Sequence, residues 1–422
     1  MNSLPILLTM VMTFEAQAQE GETIRLPFTA LEVLPAKNGE LLVVKFSGSK
    51  QVGIIDLKQK KLTKIIKVST EDYRFAAGGN RLLVHDPTAD VLEVYDLEKF
   101  ERVKAKKSPI PGVICAMAMG SNNPRTALLR VSEGTGALDR VHYELLDLEK
   151  FSTVQSSTPP HNSSYRDAEQ IRMNPSGTMF GAWATSHSPT GQIVGRIAGS
   201  RIEMSYEHDS VGHVIPLPGK DLAVTGSGAV ISFQGRRVKE HKGLCLYPDH
   251  TGNFYIGVSN KKVAVFVSND HQLITSLATP MSTRNEWDRQ ADARPFVNSA
   301  LKVLVRLSES QQELVVVPLD PIGDLKRSGL DFLVVTSSPP ARVKVGESLE
   351  YEVKAETNSK SFSITLVDGP EGAEVVGNKL TWRVPESFKE EQVEFLLKVS
   401  NTANDETYHS FQIQVARKGK AF

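Results

Sequence analysis

From about residue 28 to residue 320 the chain alternates short apolar runs with turns rich in Gly, Pro, Asn and Asp, and hardly any stretch carries helical periodicity. The pattern predicts a long succession of β-strands with an internal repeat. Ile54-Ile55-Asp56-Leu57, Val94-Tyr95-Asp96-Leu97 and Leu145-Leu146-Asp147-Leu148 read as equivalent strand ends. The last two continue identically as Asp-Leu-Glu-Lys-Phe, at 96–100 and 147–151. Each is followed by an amphipathic strand, Leu62 to Val68, Arg102 to Lys106 and Ser152 to Ser156, Lys-rich in the first two. Weaker copies of the penultimate strand are Arg201-Ile202-Glu203-Met204, Ala229-Val230-Ile231-Ser232, Val263-Ala264-Val265-Phe266 and Leu314-Val315-Val316-Val317. That makes seven units, spaced by about 43 residues on average.

A four-stranded unit of this size cannot cover its own apolar faces, so radial stacking of neighbours must build the core. The expected architecture over residues 19–326 is an all-β propeller of about seven blades. Lys58, Lys60, Lys61, Lys64 and Lys67, then Lys104, Lys106 and Lys107, fall where the fourth, outermost strand of a blade belongs. Lys on an open edge discourages pairing between molecules, so these runs read as edge protection. Arg236-Arg237-Val238-Lys239 with His241-Lys242 repeats the theme in the fifth unit, where a patch for an anionic partner is the alternative. The seventh unit ends at Leu314–Leu319 without a fourth strand, since Pro318, Pro321 and Gly323 interrupt it. Thr23-Ile24-Arg25-Leu26-Pro27-Phe28 is expected to complete it. With these marks the stretch resembles the bacterial YVTN/quinoprotein-like and WD-repeat propellers, a resemblance that implies a rigid binding platform. It departs from the WD pattern in having Ile55, Tyr95 and Leu146 where Trp would precede Asp. Three Trp in all and no adjacent cysteines leave no basis for a quinone cofactor, and none is expected.

The repeat stops around Pro318 to Gly329, read as a Pro/Gly linker, and a new pattern begins at Phe332-Leu333-Val334-Val335. Strand-like runs follow at Ala341–Val345, Ser348–Glu356, Ser361–Val367, Ala373–Val376, Lys379–Val384, Gln392–Ser400 and Tyr408–Ala416. Short alternating strands with turns every 8–12 residues predict an immunoglobulin-like β-sandwich over residues 331–417, with 418–422 as a tail. Pro339-Pro340-Ala341, Gly346-Glu347, Tyr351-Glu352-Val353, Leu366 to Gly372, Leu380 to Pro385, Val399-Ser400-Asn401 and Phe411 to Val415 make this segment similar to the bacterial immunoglobulin/cadherin-like module. The resemblance implies a spacer or adhesive unit. Trp382 is expected to plug its core.

At the other end, Leu4 to Phe14 is an apolar stretch of signal-peptide length, followed by Ala16-Gln17-Ala18 as a small-x-small cleavage pattern. Residues 1–18 are therefore read as a secretion signal, and the mature protein as secreted, periplasmic or cell-surface. Past that stretch no apolar run is long enough to span a bilayer. With 49 Lys+Arg against 49 Asp+Glu, a basic nucleic-acid binder is not expected. Cys115 and Cys245 are too few for a disulfide scaffold and read as buried free thiols.

Candidate chemistry is sparse. Glu203, Glu207, His208, Asp209 and His213 form the densest ligand-type cluster, but without a metal-site spacing; a solvated loop is expected, and no metal. Asn401-Thr402-Ala403-Asn404-Asp405-Glu406 resembles a calcium loop of cadherins, yet two carboxylates on one hairpin fall short of the six to eight oxygens calcium takes, so a plain turn is expected. Gly226-Ser227-Gly228 and Asn174-Pro175-Ser176-Gly177 lack the setting of a nucleophile elbow. Asp288 and Asp292 after Trp287, and His187 between serines, read as solvated loop residues. No catalytic, cofactor or metal residue is assigned. Two function classes remain: an exported non-catalytic binding or scaffold protein with a protein or polysaccharide partner of the cell envelope or matrix, and a secreted propeller hydrolase, lactonase-like or glycan-acting, with its site at the channel mouth.

Overall fold

A computed structural model describes residues 21–134, 140–157, 169–184, 191–198, 201–278, 295–340, 342–390, 392–403 and 405–416. The proposed signal 1–18 and tail 418–422 lie outside them, as do Trp287, Asp288, Asp292 and His187. Up to Pro318 the described residues form seven four-stranded antiparallel sheets in succession. The first comprises Ala30–Ala36, Leu41–Phe46, Gln51–Asp56 and Lys61–Lys67, and the second Arg74–Gly78, Arg81–Asp86, Val91–Asp96 and Glu101–Lys107. The third runs from Val113–Ala118 to Ser152–Ser157, the fourth from Glu169–Met173 to Arg201–Glu207, the fifth from Val214–Pro216 to Arg237–Glu240, and the sixth from Cys245–Pro248 to Leu273–Leu277. The seventh joins Phe296–Asn298, Val303–Leu307 and Glu313–Pro318 to Glu22–Arg25 from the beginning of the chain.

Both faces of each sheet are buried, which is why the strands read as nearly continuous apolar runs. Phe75 and Ala77 pack against the first sheet while Ala76, between them, packs against the third; Leu82, Leu83 and Val84 alternate in the same way. Distinct cores fill the junctions in turn, and the one formed by Ile24, Leu26, Leu42, Phe46, Ile55, Val305, Leu314 and Val316 joins the seventh sheet to the first. The ring is closed. Its lock is the expected N-terminal strand, with Glu22, Thr23, Ile24 and Arg25 opposite Val316, Val315, Leu314 and Glu313. The hairpins between first and second strands form an inner collar: Lys37 N donates to Gly79 O and Gly79 N to Ser121 O, both at 2.8 Å, and Asn298 Nδ2 reaches Gly39 O at 3.3 Å. Gly39 has φ +70°, and a Cβ there would lie 2.8 Å from Asn298 and His250.

The shared Asp-Leu-Glu-Lys-Phe has a local cause. The Asp96 and Asp147 carboxylates accept the backbone N–H groups two and three residues on, at 2.8–3.0 Å, and pair with Arg81 and Arg125 of the preceding strand. The turn ends on a residue in left-handed conformation, Phe100 at φ 57° or Phe151 at φ 58°, with Lys60 at φ 51° in the first sheet. One extra residue then bulges from the outer strand: Thr63, Val103, Val154, Val238 and Ile274 in sheets one, two, three, five and six. The fourth sheet lacks that Asp and has an unbroken register. There the sequence reading slips by one strand: Arg201-Ile202-Glu203-Met204 opens the outermost strand, and Gln192–Ala198 is the penultimate one.

Pro321–Ser328, expected as a linker, is a helix. Asp320 caps its start by accepting from Gly323 N, Pro321 occupies its first turn and Gly329 ends it at φ 70°. Leu325, fully buried, fixes it in the core between the sixth and seventh sheets. Beyond it, Arg342–Lys344, Glu406–Ala416, Gln392–Asn401 and Phe362–Asp368 form a four-stranded sheet, and Ser348–Glu352, Lys379–Arg383 and Ala373–Val376 a three-stranded one. They share one core around Tyr351, Trp382, Phe395 and Phe411. Trp382 is 1% exposed and donates Nε1 to Glu371 O, the expected plug. The predicted strand Ser348–Glu356 is in fact two: Ala355–Thr357 leaves to pair with Leu333–Val335. That short strand sits between two cores. Leu333 and Val335 enter the C-terminal one, while Phe332 and Val334 enter the core of the sixth and seventh sheets.

Removal of residues through Leu26 opens the ring and uncovers Leu314 and Val316, and should lower the melting temperature of the whole array. Ile24→Ala should cost about 2–5 kcal/mol in urea unfolding. An unchanged midpoint in both variants would rule out the lock.

At the contact between the two parts, Asn269 Nδ2 donates to Thr407 Oγ1, and the His409 ring meets the Tyr351 hydroxyl at 3.0 Å. Burial, aided by nearby Lys220, pushes His409 down to about 4. A histidine so lowered is neutral in the fold and protonates more readily in the unfolded chain, so stability should be lost as pH falls from about 6.5 to 4. His409→Gln should reduce the fall of the melting temperature across that window, the remainder belonging in part to the buried His250, itself pushed down to about 4, and an identical pH profile in the variant would refute the assignment.

Candidate functional site

The sequence candidates do not converge. Asp209 is paired with Arg237 at 2.8 Å, and that hydrogen bond holds its carboxyl below the usual range. His208 meets the Tyr206 hydroxyl at 3.0 Å, while Glu203 and Glu207 are exposed. His213 turns inward between Trp183 and Tyr247, with Nε2 2.7 Å from Leu246 O. Asn401 closes its loop by accepting from Ala403 N and Asp405 N and donating to the Asp405 carboxylate at 2.7 Å. Thr225 Oγ1 ties Gly226-Ser227-Gly228 into a hairpin, and Asn174 Oδ1 caps its own turn through Thr178 N and Met179 N. Among the described residues no group of three or more His, Cys, Asp or Glu is placed to hold a metal ion. Both cysteines are free, but half-buried where full burial was expected. Cys115 is the bulged residue of an innermost strand, between Ile114 and Ala116, so it escapes the packing between sheets.

Two charged arrangements went unforeseen. The first spans the ring. Glu32, on the innermost strand of the first sheet, receives Arg172 Nη2 from the innermost strand of the fourth at 2.9 Å. Lys45, opposite Glu32 in the strand register, donates to Tyr73 O and lies 4.6 Å over the Tyr73 ring. Burial lowers its pKa, with the Glu32 and Asp72 carboxylates opposing. Arg74 Nε donates to Cys115 O at 2.9 Å. Glu32 and Arg172 stand 140 positions apart, so no local pattern could have announced the pair.

The second lies on the outer rim, in a groove of about 420 Å³ between the outer strands of the first and second sheets. Ile65, Val68, Tyr95 and Phe100 give it apolar walls, and Lys67 and Arg102 line it as well. Beneath them Glu93 is 1% exposed: Oε1 pairs with Arg102, while Oε2 accepts from the Tyr95 hydroxyl at 2.9 Å and Ser69 Oγ at 3.3 Å. Burial, then the hydrogen bond to Glu93, pushes the Tyr95 hydroxyl up. An acid inside the apolar run Val91-Leu92-Glu93-Val94 was the available signal, since a buried carboxylate needs partners. A clasp repeats beside the groove, Lys64 lying 5.9 Å over Phe100 and Lys104 5.5 Å over Phe151 of the next sheet.

Successive four-stranded antiparallel sheets closed into a ring define an all-β, repeat-built protein of the β-propeller type. The sequence matches no family model and no curated protein. Among solved structures the chain is similar to Kuenenia stuttgartiensis hydrazine synthase, at 12% identity, TM-score 0.45, 73% of this chain and 98% of the other. It is also similar to the beta-propeller domain of Myceliophteria thermophila Cps50 (Swd1), at 12% identity, TM-score 0.47, 72% of this chain and 100% of the other. Chaetomium thermophilum Raptor gives 12% identity and TM-score 0.50 over 72% of this chain and 29% of its own, a likeness of fold alone. No helix among the described residues is long and apolar enough to cross a membrane.

The cross-ring pair should behave as a strut. Arg172→Met should cost about 1–3 kcal/mol by stranding Glu32, and Glu32→Gln on top should cost less than the two single effects added together. Strict additivity in that double-mutant cycle would remove the strut role.

Proposed function

We propose that this is an exported, non-catalytic binding scaffold. In this reading a seven-bladed propeller serves as the recognition platform, and an immunoglobulin/cadherin-like module over residues 331–417 is a spacer or adhesive unit. A signal at 1–18 would send the chain out of the cytoplasm, to meet a protein or polysaccharide of the cell envelope or matrix. The reading rests on one observation: several of the candidate acid and base side chains are engaged in holding the fold. Asp209 holds Arg237, His213 the Leu246 carbonyl, Asp405 Asn401, and Glu32 Arg172. The docked helix and the two-faced strand Leu333–Val335 support a fixed placement of the module, as a scaffold requires.

The mature chain should show no turnover on a panel of lactone, ester and glycoside substrates, while retaining a discrete partner from envelope or matrix extracts. Turnover abolished by a single Asp, Glu or His substitution at the channel mouth would replace this reading with the hydrolase.

A further inference from the structure

We infer that the rim groove between the first and second sheets docks an acidic, extended polypeptide segment, which deepens the binding-scaffold reading and rests on it. The charge is local. Lys61–Lys67 and Glu101–Lys107 together carry seven Lys and Arg and one acid, Glu101, in a chain with equal totals of the two signs. Among the described residues Lys61, Lys67, Lys106 and Lys107 have no carboxylate partner. Arg102 is held at Glu93 through one Nη, and a guanidinium has further N–H groups to offer a partner carboxylate.

The edge supplies the second half of the match. Lys61–Lys67 pairs on one side only, with Gln51–Asp56, and after the Thr63 bulge Lys64 to Lys67 run in regular register. An incoming strand can therefore add along these four residues, through backbone groups that every polypeptide has. The lysines that repel a basic edge attract an acidic one. Side chains on one face of the added strand would meet Ile65, 36% exposed, and those on its other face the apolar walls at Val68, Tyr95 and Phe100. A sulfated or uronic polysaccharide has neither strand backbone nor aliphatic side chains for those features, and a flat membrane cannot enter a groove. The observations favour the peptide.

The test is fluorescence anisotropy on the full chain with labelled nine-residue peptides that alternate Glu with Leu and Val, beside the same peptides with Lys for Glu. The acidic peptide should bind saturably and weaken steeply between about 50 and 300 mM salt, while the Lys peptide should not bind. Lys67→Glu should weaken binding about tenfold at unchanged melting temperature, Ile65→Asp should do the same, and Lys106→Glu, whose ammonium lies over Phe151 at the next junction, and Lys242→Glu beside the fifth sheet should have no effect. Equal binding of the Lys peptide, or equal losses from Lys106→Glu or Lys242→Glu, would overturn the proposal. So would heparin binding that depends on Lys67 when the peptide fails. Loss of this site with partner capture intact leaves the scaffold reading standing; turnover in the substrate panel defeats that reading instead.

Discussion

The ring depends on the fact that each of its seven four-stranded sheets buries both faces. A sheet whose Phe75 looks one way and whose Ala76 looks the other is satisfied only between two neighbours, and the same holds at each junction. The only arrangement without an orphaned face is a closed ring. Closure then explains why the last sheet takes its outer strand from the start of the chain: the joint between seventh and first sheets lies between segments far apart in sequence, and the exchanged strand binds them. It also explains the tight inner collar, where Gly120 leaves no room for a Cβ against Gly177 N and Gly39 sits against Asn298 and His250.

Radial growth makes the rim the opposite of the collar. Outer strands are half-paired and exposed, and their chemistry follows from one turn. An Asp that gathers two backbone N–H groups, a residue with positive φ and a bulge swing the outer strand so that a Lys of one sheet covers the aromatic ring at the next sheet's turn. Where the turn residue is His271 instead of Phe, Lys239 still lies near it and, after burial, helps lower its pKa. The basic character of the rim is thus partly a fastening between sheets and partly open surface.

The C-terminal part is joined by more than a peptide chain. Helix Pro321–Ser328 and Phe332 belong to the core of the sixth and seventh sheets, and the strand that follows divides its side chains between two cores. Asn253 donates to Val335 O at 2.7 Å and Lys326 pairs with Glu356 at 2.7 Å across the same seam. Separation of the two parts would expose Phe332 and Val334, so their relative placement is held by the hydrophobic effect.

Sequence alone determined whatever is periodic or local. Alternating apolar runs set the strands, the Asp-Leu-Glu-Lys-Phe copies set the repeat, and Trp382 with its flanking strands set the second core. The helix at Pro321–Ser328 was legible too, in Asp320, Pro321 and Gly329, but its short polar turn was outweighed by Pro and Gly read as a break. The fourth sheet was misframed because Gln192–Ala198 lacks the Asp that marks the strand end in the first three sheets, and Arg201–Glu207 offers a similar apolar alternation. Only the tertiary structure could decide that Glu32 meets Arg172 across the ring, that Glu93 lies beneath a basic groove, and that Phe332 and Leu333 face different cores. Glu32 and Arg172 lie on different sheets, the groove over Glu93 is walled by two sheets, and Phe332 and Leu333 serve two cores, so each takes its setting only when packing fixes which sheets face one another.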